Sequence, residues 1–551
     1  MPRFAPTSVL ETHEVTNQPP EFGGRNLYLD DRVLREAVLR EAGPWLDARM
    51  VALGEELGQE SVLAAGDLAN RHPPELVAFD RYGQRLDEAR FHPAYHELMA
   101  LAMKHRIHDL PWTVGERGAH VGHLALAALF SQVEQGTICP INMTYAAVPA
   151  LRLAPDITRA WTNKLIGGRY DAPLRPIAQK AGITLGMAMT EKQGGSDVRA
   201  NTTRAEPIDQ ATRLYRLTGH KWFCSAPMSD GFLTLAQAPN GLSCFLVPRI
   251  TEEGRRNAIH LMRLKDKLGN RSNASSEIEY HGADAWLLGE EGTGVKTILE
   301  MVHLTRLGTV AGSLGIMRMA LAQAIHHVSH RRAFQRRLID QPAMRLVIAD
   351  LALEYEAAVV LAARMAHSID DTDPQGRAFA RLYVALSKYW LTQRVPGFVF
   401  GCMECLGGAG YVEESPMPRL YREAPLNAIW EGSGNVIALD VLRTLVREPL
   451  ALASYRAEVE EGLRGGDPSL AAMATGLFDE LARGAIGEQR ARPVAERMAL
   501  LLQAALLRQH APGAVAEAFS LSRLSEARAF SYGALPSGVD VQAILDRQAF
   551  D

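Results

Sequence analysis

The chain has 551 residues, 47% of them hydrophobic and 22% charged, with a formal net charge of −4. That length suits about three or four domains, and the composition is that of an ordinary globular protein. The charge balance gives no overall attraction to nucleic acid, so any such role needs a local basic patch.

The first segment, Met1 to Arg25, is polar, contains Pro19-Pro20 and has no apolar stretch of the secretory type. The longest apolar run, near Met498 to Leu507, is too short to span a bilayer. The expected setting is cytoplasmic, with no membrane partner. Five cysteines, at 139, 224, 244, 402 and 405, are few and odd in number, which fits a reducing compartment. Cys402-Met403-Glu404-Cys405 has no second pair at zinc spacing, so it reads as packing, and no metal is expected.

Four textures follow one another. Residues 1–185 read as mainly helical, with three- and four-residue apolar spacing over Val33 to Leu57 and Tyr95 to Lys104. Residues 186–292 change period. Leu214 to Thr218, Phe232 to Leu235 and Leu242 to Val247 are short and rich in strand formers, separated by turns such as Pro239-Asn240-Gly241, which predicts an antiparallel β domain. Helical spacing returns over 293–445. There Met344 to Met365 carries one apolar stripe, and Arg345, Asp350 and Glu356 are expected on a charged outer face. Residues 446–551 are alanine-rich and again helical, with Gly465-Gly466-Asp467-Pro468 as a linker or helix start. Strands and helices are segregated, which argues against a doubly wound dinucleotide fold.

Two segments carry chemistry. Met189 to Val198 places Thr190 and Ser196 around the Gly194-Gly195 pair, so backbone N–H groups can approach a flat, polar ligand. Alone, such a run is more often a polar surface turn. In Asn427 to Asn435 a carboxylate, Glu431, lies between Trp430 and Gly432 just before a helix over Val436 to Leu445. With Ile429 and Trp430 beside it, Glu431 is expected to be desolvated and its pKa raised toward that of a general base. The alternative is a carboxylate favoured by the helix dipole.

Taken with Gly219 to Ser225, Leu287 to Gly294 and Leu406 to Tyr411, the order and spacing of these segments resemble the acyl-CoA dehydrogenase family. Phe91-His92-Pro93, Asp266 to Ser275, Arg419 to Glu423 and Ile429 to Asn435 are similar to its bacterial alkylation-response branch, over nearly the whole chain. The resemblance implies a helical domain, a β domain and a four-helix bundle, followed here by an extra C-terminal helical domain. It implies FAD as cofactor, held by Met189, Thr190, Gly194, Gly195, Ser196, Phe223, Ser225, Trp430, Gly432, Ser433 and Asn435. It makes Glu431 the catalytic base of acyl-CoA α,β-dehydrogenation, and the assembly a homotetramer. Two positions depart from the family pattern: Gln335, after Phe334, stands where glycine is expected, and Glu404 where glutamine is common.

The same branch implies a role in the response to DNA alkylation, weak activity on a short branched acyl-CoA, and double-stranded DNA binding by the C-terminal block, with Arg443 and Arg523 as candidate contacts. Residues 451–551 hold ten Arg and no Lys against thirteen Asp or Glu, so DNA affinity would require arginines gathered on one face. An ordinary metabolic acyl-CoA dehydrogenase without a DNA role is the alternative.

Overall fold

The computed structural model describes residues 6–484, 486–526 and 528–548. The N-terminal helices are α1 (Arg32–Glu41), α2 (Asp47–Leu57), α3 (Glu60–Arg71), α4 (Pro93–Lys104), α5 (Leu110–Thr113), α6 (Ala119–Ser131), α7 (Ile138–Ala146), α8 (Val148–Leu151) and α9 (Pro155–Leu165). The helical pattern over Val33 to Leu57 is broken in two. Gly43, at φ +96°, and Pro44 end α1 before α2 begins. Every residue of α6 is buried, which explains its lack of an amphipathic pattern. The helical reading missed one antiparallel hairpin, β1 (Glu75–Phe79) with β2 (Arg85–Arg90), whose second strand has no β-branched or aromatic residue.

The β domain comprises β3 (Leu185–Ala188), β4 (Arg204–Asp209), β5 (Leu214–Cys224), β6 (Gly231–Ala238), β7 (Gly241–Pro248), β8 (Ile259–Leu264) and β9 (Ser276–Leu288). Its order is β3-β6-β4-β5-β9-β7, with β8 on β9; a β6–β7 pairing closes the ring. Most pairs are antiparallel, and β3 runs parallel to β6. Phe232, Phe245, Tyr280 and Leu217 fill a core of their own inside it.

The bundle is built on three long helices, α10 (Gly294–His330), α11 (Pro342–Ile369) and α12 (Pro374–Cys405), with α13 (Met417–Glu423) and α14 (Gly434–Arg447). Between α10 and α11 lies a small hairpin, β10 (Arg332–Ala333) and β11 (Arg336–Arg337). Its two turn residues, Phe334 and Gln335, both have positive φ, +50° and +66°. Gln335 thus takes the left-handed conformation for which glycine is preferred, and Phe334 is 90% exposed. Both cysteines of the C-x-x-C are buried on α12.

The C-terminal block, α15 (Pro449–Leu463), α16 (Pro468–Ala482), α17 (Ala491–His510), α18 (Gly513–Arg523) and α19 (Val541–Leu545), packs on α11 and α12. This overturns the charged outer face expected for α11. Asp350 and Glu356 are buried, and Arg345 donates to Gln542 at 2.5 Å. Asp350 pairs with Arg523 at 2.5 Å and Glu356 with Arg547 at 2.7 Å. The extra domain supplies the cations that a solvated face would not need.

Candidate active site

Glu431 sits in a short loop between a 3-10 turn (Leu426–Ala428) and α14. Its φ is +57°, rare for a non-glycine residue, and Gly432 follows at +106°. Two cations from the bundle hold this loop by consecutive carbonyls. Arg306 Nε on α10 donates to the Glu431 carbonyl at 3.2 Å, and Lys388 Nζ on α12 donates to that of Gly432. Arg306 is fixed by Asp440 at 2.7 Å, which Arg381 also grips at 2.6 Å. The Glu431 N–H makes no hydrogen bond among the described residues.

The Glu431 side chain faces a cleft lined also by Met187, Ser225, Thr305, Asn427 and Trp430. Burial raises its carboxyl above the ordinary range; a hydrogen bond from Thr305 and the nearby Arg306 and Lys388 oppose this without cancelling it. Lys388 itself is 1% exposed, and burial pushes it down to about 7. Ile429 is 62% exposed and contributes nothing to the desolvation, which comes instead from Trp430 and the bundle. Trp430 is oriented by its indole N–H, which donates to Asn427 Oδ1 at 2.9 Å.

Met189 to Val198 forms a tight turn at the end of β3. Glu191 and Gly194 exchange backbone hydrogen bonds at 3.2 and 3.0 Å. Gly195 packs so closely on Thr190 that a Cβ would lie 2.5 Å from its hydroxyl. The turn is tied to β5 by the Trp222 N–H on the Thr190 carbonyl, 2.7 Å. Beneath it lies a buried pair that the sequence reading did not single out. Glu191 and Lys221, both with side chains 0% exposed, meet at 2.7 Å. Burial would raise the Glu191 carboxyl, but Lys221 and the Thr202 and Thr203 donors hold it down to about 2.

The expected residues therefore fall into two groups. Ser225, Trp430 and Glu431 line the cleft, and Gly432 turns its backbone. Met189, Thr190, Gly194, Gly195, Ser196 and Phe223 lie along the adjoining β-domain surface, outside the cleft lining. Phe223 is 44% exposed, with Lys265 Nζ 4.7 Å from its ring centre and 3.3 Å from that of Trp222. Ser433 and Asn435 are exposed, and Arg492 of the C-terminal block donates to Asn435 Oδ1 at 2.7 Å. Arg443 is exposed on α14. Arg523 is withdrawn from solvent between Asp350 and Glu354, which corrects its assignment to a DNA-facing surface. Arg306, Lys388, Glu191 and Lys221 were missed because their partners lie 30 to 125 positions away; a lysine inside the apolar pattern of α12 is the one local hint.

A mainly antiparallel β barrel flanked by helical layers, with a carboxylate presented from the bundle into a cleft beside it, defines an acyl-CoA dehydrogenase, and the chain belongs to that family. Residues 17–172 match the family described as adaptive response protein AidB N-terminal domain, 186–283 the acyl-CoA dehydrogenase middle domain and 292–446 its C-terminal domain. The chain is 49% identical to AidB of Escherichia coli (strain K12), described as an acyl-CoA dehydrogenase, over 80% of this chain and 81% of that one. It is 31% identical to acyl-CoA dehydrogenase family member 11 of Caenorhabditis elegans, over 79% and 73%. The solved structure of C. elegans ACDH-11 in complex with C11-CoA superposes with a TM-score of 0.84 at 26% identity, over 98% of this chain and 97% of that one. That of Bd2924 in its apo form gives 0.80 at 25%, over 90% and 99%.

The family is FAD-dependent, and the residues present fit the group. The turn at Gly194-Gly195 leaves open space where a Cβ at Gly194 would stand, Phe223 offers an aromatic face, and Ser225 puts a hydroxyl at the mouth of the cleft. Among the described residues no cluster of metal-ligating side chains occurs, and no helix is long and apolar enough to cross a membrane.

Proposed function

We propose that the cleft dehydrogenates a short, branched acyl-CoA between its α and β carbons, with Glu431 as the base that takes the α-proton. The observation that carries this reading is Glu431 itself: a carboxyl raised by burial, facing the cleft from a backbone that two cations hold in place. Proton removal develops negative charge on the thioester oxygen. The unengaged Glu431 N–H is a donor for it, an oxyanion-hole role. FAD, when bound, supplies the acceptor for the β-hydride. Met189, Thr190, Gly194, Gly195, Ser196, Phe223 and Ser225 would hold it from the β domain, and Trp430, Gly432, Ser433 and Asn435 from the bundle side.

Anaerobic mixing of the FAD-loaded protein with a panel of acyl-CoAs tests the proposal. Short branched thioesters are expected to bleach the flavin absorption, and Glu431→Gln to slow bleaching by about a hundredfold or more. A wild-type protein that no thioester bleaches would refute it.

The match of residues 17–172 to the AidB N-terminal family supports a second reading beside the first. In it the protein serves the adaptive response to DNA alkylation in the cytoplasm, as a homotetramer whose C-terminal blocks bind double-stranded DNA. Exposed Phe334, Tyr411 and Ile429, at 90%, 81% and 62%, favour further subunits covering these faces. Salt-sensitive binding to a DNA duplex is its test.

A further inference from the structure

The Glu431 cleft is lined by amides as well as by apolar side chains. Gln135 and Asn427 are 4% and 5% exposed, and each uses one of its two polar atoms. Gln135 Nε2 donates to the Ser131 carbonyl, and Asn427 Oδ1 accepts from Trp430 at 2.9 Å. Gln135 Oε1 and Asn427 Nδ2 make no hydrogen bond among the described residues, nor are they sealed off as buried unpaired atoms; they border the cleft.

Helix α10 is shaped around such groups. A Cβ at Gly308 would lie 2.1 Å from the Asn142 amide, and one at Gly312 would lie 3.3 Å from Asn427 Nδ2. Glycine weakens a helix interior, yet α10 carries three: Gly315 packs on α6, and Gly308 and Gly312, one turn apart, lie where two amides enter the cleft. Across from them Glu423, 3% exposed, accepts from the Asn270 N–H at 2.5 Å and from its side-chain amide at 2.9 Å.

A hydrocarbon chain filling this space would strip water from a free donor and a free acceptor and return nothing, which is costly for buried polar groups. A donor would satisfy Gln135 Oε1 and an acceptor Asn427 Nδ2, and a hydroxyl or a carboxamide carries both. Building on the dehydrogenase reading above, we infer that the cleft selects acyl thioesters whose acyl part bears a neutral hydroxyl or carboxamide beyond the β-carbon, received by Gln135 Oε1 and Asn427 Nδ2.

The test compares isosteric pairs. 5-Hydroxypentanoyl-CoA and hexanoyl-CoA differ by a hydroxyl in place of a methyl group and are mixed anaerobically with the FAD-loaded protein. The hydroxyl compound is expected to bleach the flavin at least roughly tenfold more efficiently. Gln135→Leu is expected to abolish that preference while hexanoyl-CoA still bleaches. Calorimetric binding of S-(5-hydroxypentyl)-CoA against S-hexyl-CoA, neither of which can be dehydrogenated through a thioester, gives a second reading of the same preference in wild type and in Asn427→Ser. Bleaching by both thioesters with the methyl compound equal or better overturns the inference and leaves the dehydrogenase reading intact. Bleaching by neither leaves the calorimetric pair to decide the preference of the cleft by itself, equal or tighter binding of S-hexyl-CoA overturning it, and only silence of the short branched panel as well overturns the dehydrogenase reading.

Discussion

Glu431 has a left-handed backbone that costs a non-glycine residue on the order of 1 kcal/mol, and Arg306 and Lys388 are what sustain it. Lys388 acts on Glu431 in two ways, by holding the Gly432 carbonyl and by favouring the ionised carboxyl. The base must be ionised to work, so activity is lost as pH falls through its raised pKa. Lys388→Met removes a cation that lowers that pKa. The acid limb of the kcat/KM profile is therefore expected to move to higher pH, with kcat/KM at neutral pH falling roughly tenfold. Lys388→Arg, which keeps the charge, should return the limb toward its wild-type position, and an unmoved limb in the Met variant would exclude the electrostatic part of this account. Glu191 works at the same scale beneath the Gly194-Gly195 turn. Glu191→Ala would leave Lys221 buried without a counter-charge, and a loss of about 3–5 kcal/mol in urea unfolding is expected. The Glu191 carboxyl lies below its ordinary value, so its contribution is present above that value and vanishes as pH falls through about 2. A loss below about 1 kcal/mol would mean the turn is held by its backbone bonds alone.

Helix α11 shows what a sequence pattern reveals about an element and what it conceals. Its apolar stripe from Met344 to Met365 is visible as three- and four-residue spacing, and those side chains are buried or half-buried in the main core. Its carboxylates look like a solvated face because nothing within a turn of the helix contradicts that. The contradiction comes from Arg523, 173 positions beyond Asp350, and Arg547, 191 beyond Glu356. Glu354 adds a third link: between Arg394 and Arg523 it is held down to about 2, despite a burial that would raise it. Such buried pairs are costly to break singly, since the remaining charge has no water to return to. Arg523→Ala is therefore expected to lower the unfolding free energy by about 3 kcal/mol or more, measured by denaturant titration. A surface arginine, the role first expected of it, would cost within about 0.5 kcal/mol. The β1–β2 hairpin eluded the reading for a different reason, since β2, Arg-Leu-Asp-Glu-Ala-Arg, has none of the β-branched or aromatic residues that mark the strands of the β domain.

Across the molecule, the parts of the site that are legible in sequence are those coded within ten residues: the Gly194-Gly195 turn and the Trp430-Glu431-Gly432 loop. The cleft between them is assembled from 135–143, 305–312 and 423–431 with Met187 and Ser225 of the β domain, and no local signal says that these stretches meet. The same distance defeats any reading of a DNA surface. Of the arginines in and beside the C-terminal block, Arg490 and Arg497 share Glu480, Arg528 pairs with Glu496, Arg492 holds Asn435 and Arg523 is buried. Three exposed arginines have no such partner among the described residues: Arg483 just past α16, and Arg443 and Arg447 together in the second half of α14. Two such groups on each of two neighbouring subunits would neutralise about four phosphates, and log K then falls with log salt at a slope near −3.6. Duplex affinity followed by fluorescence anisotropy should accordingly drop roughly a hundredfold between 50 and 200 mM salt. Arg443→Ala should flatten the slope by about one for each phosphate it no longer neutralises and weaken all sequences alike, whereas a folded Arg523 variant should leave it unchanged. Binding that ignores salt, or a slope that Arg443→Ala does not alter, would remove α14 from the DNA interface.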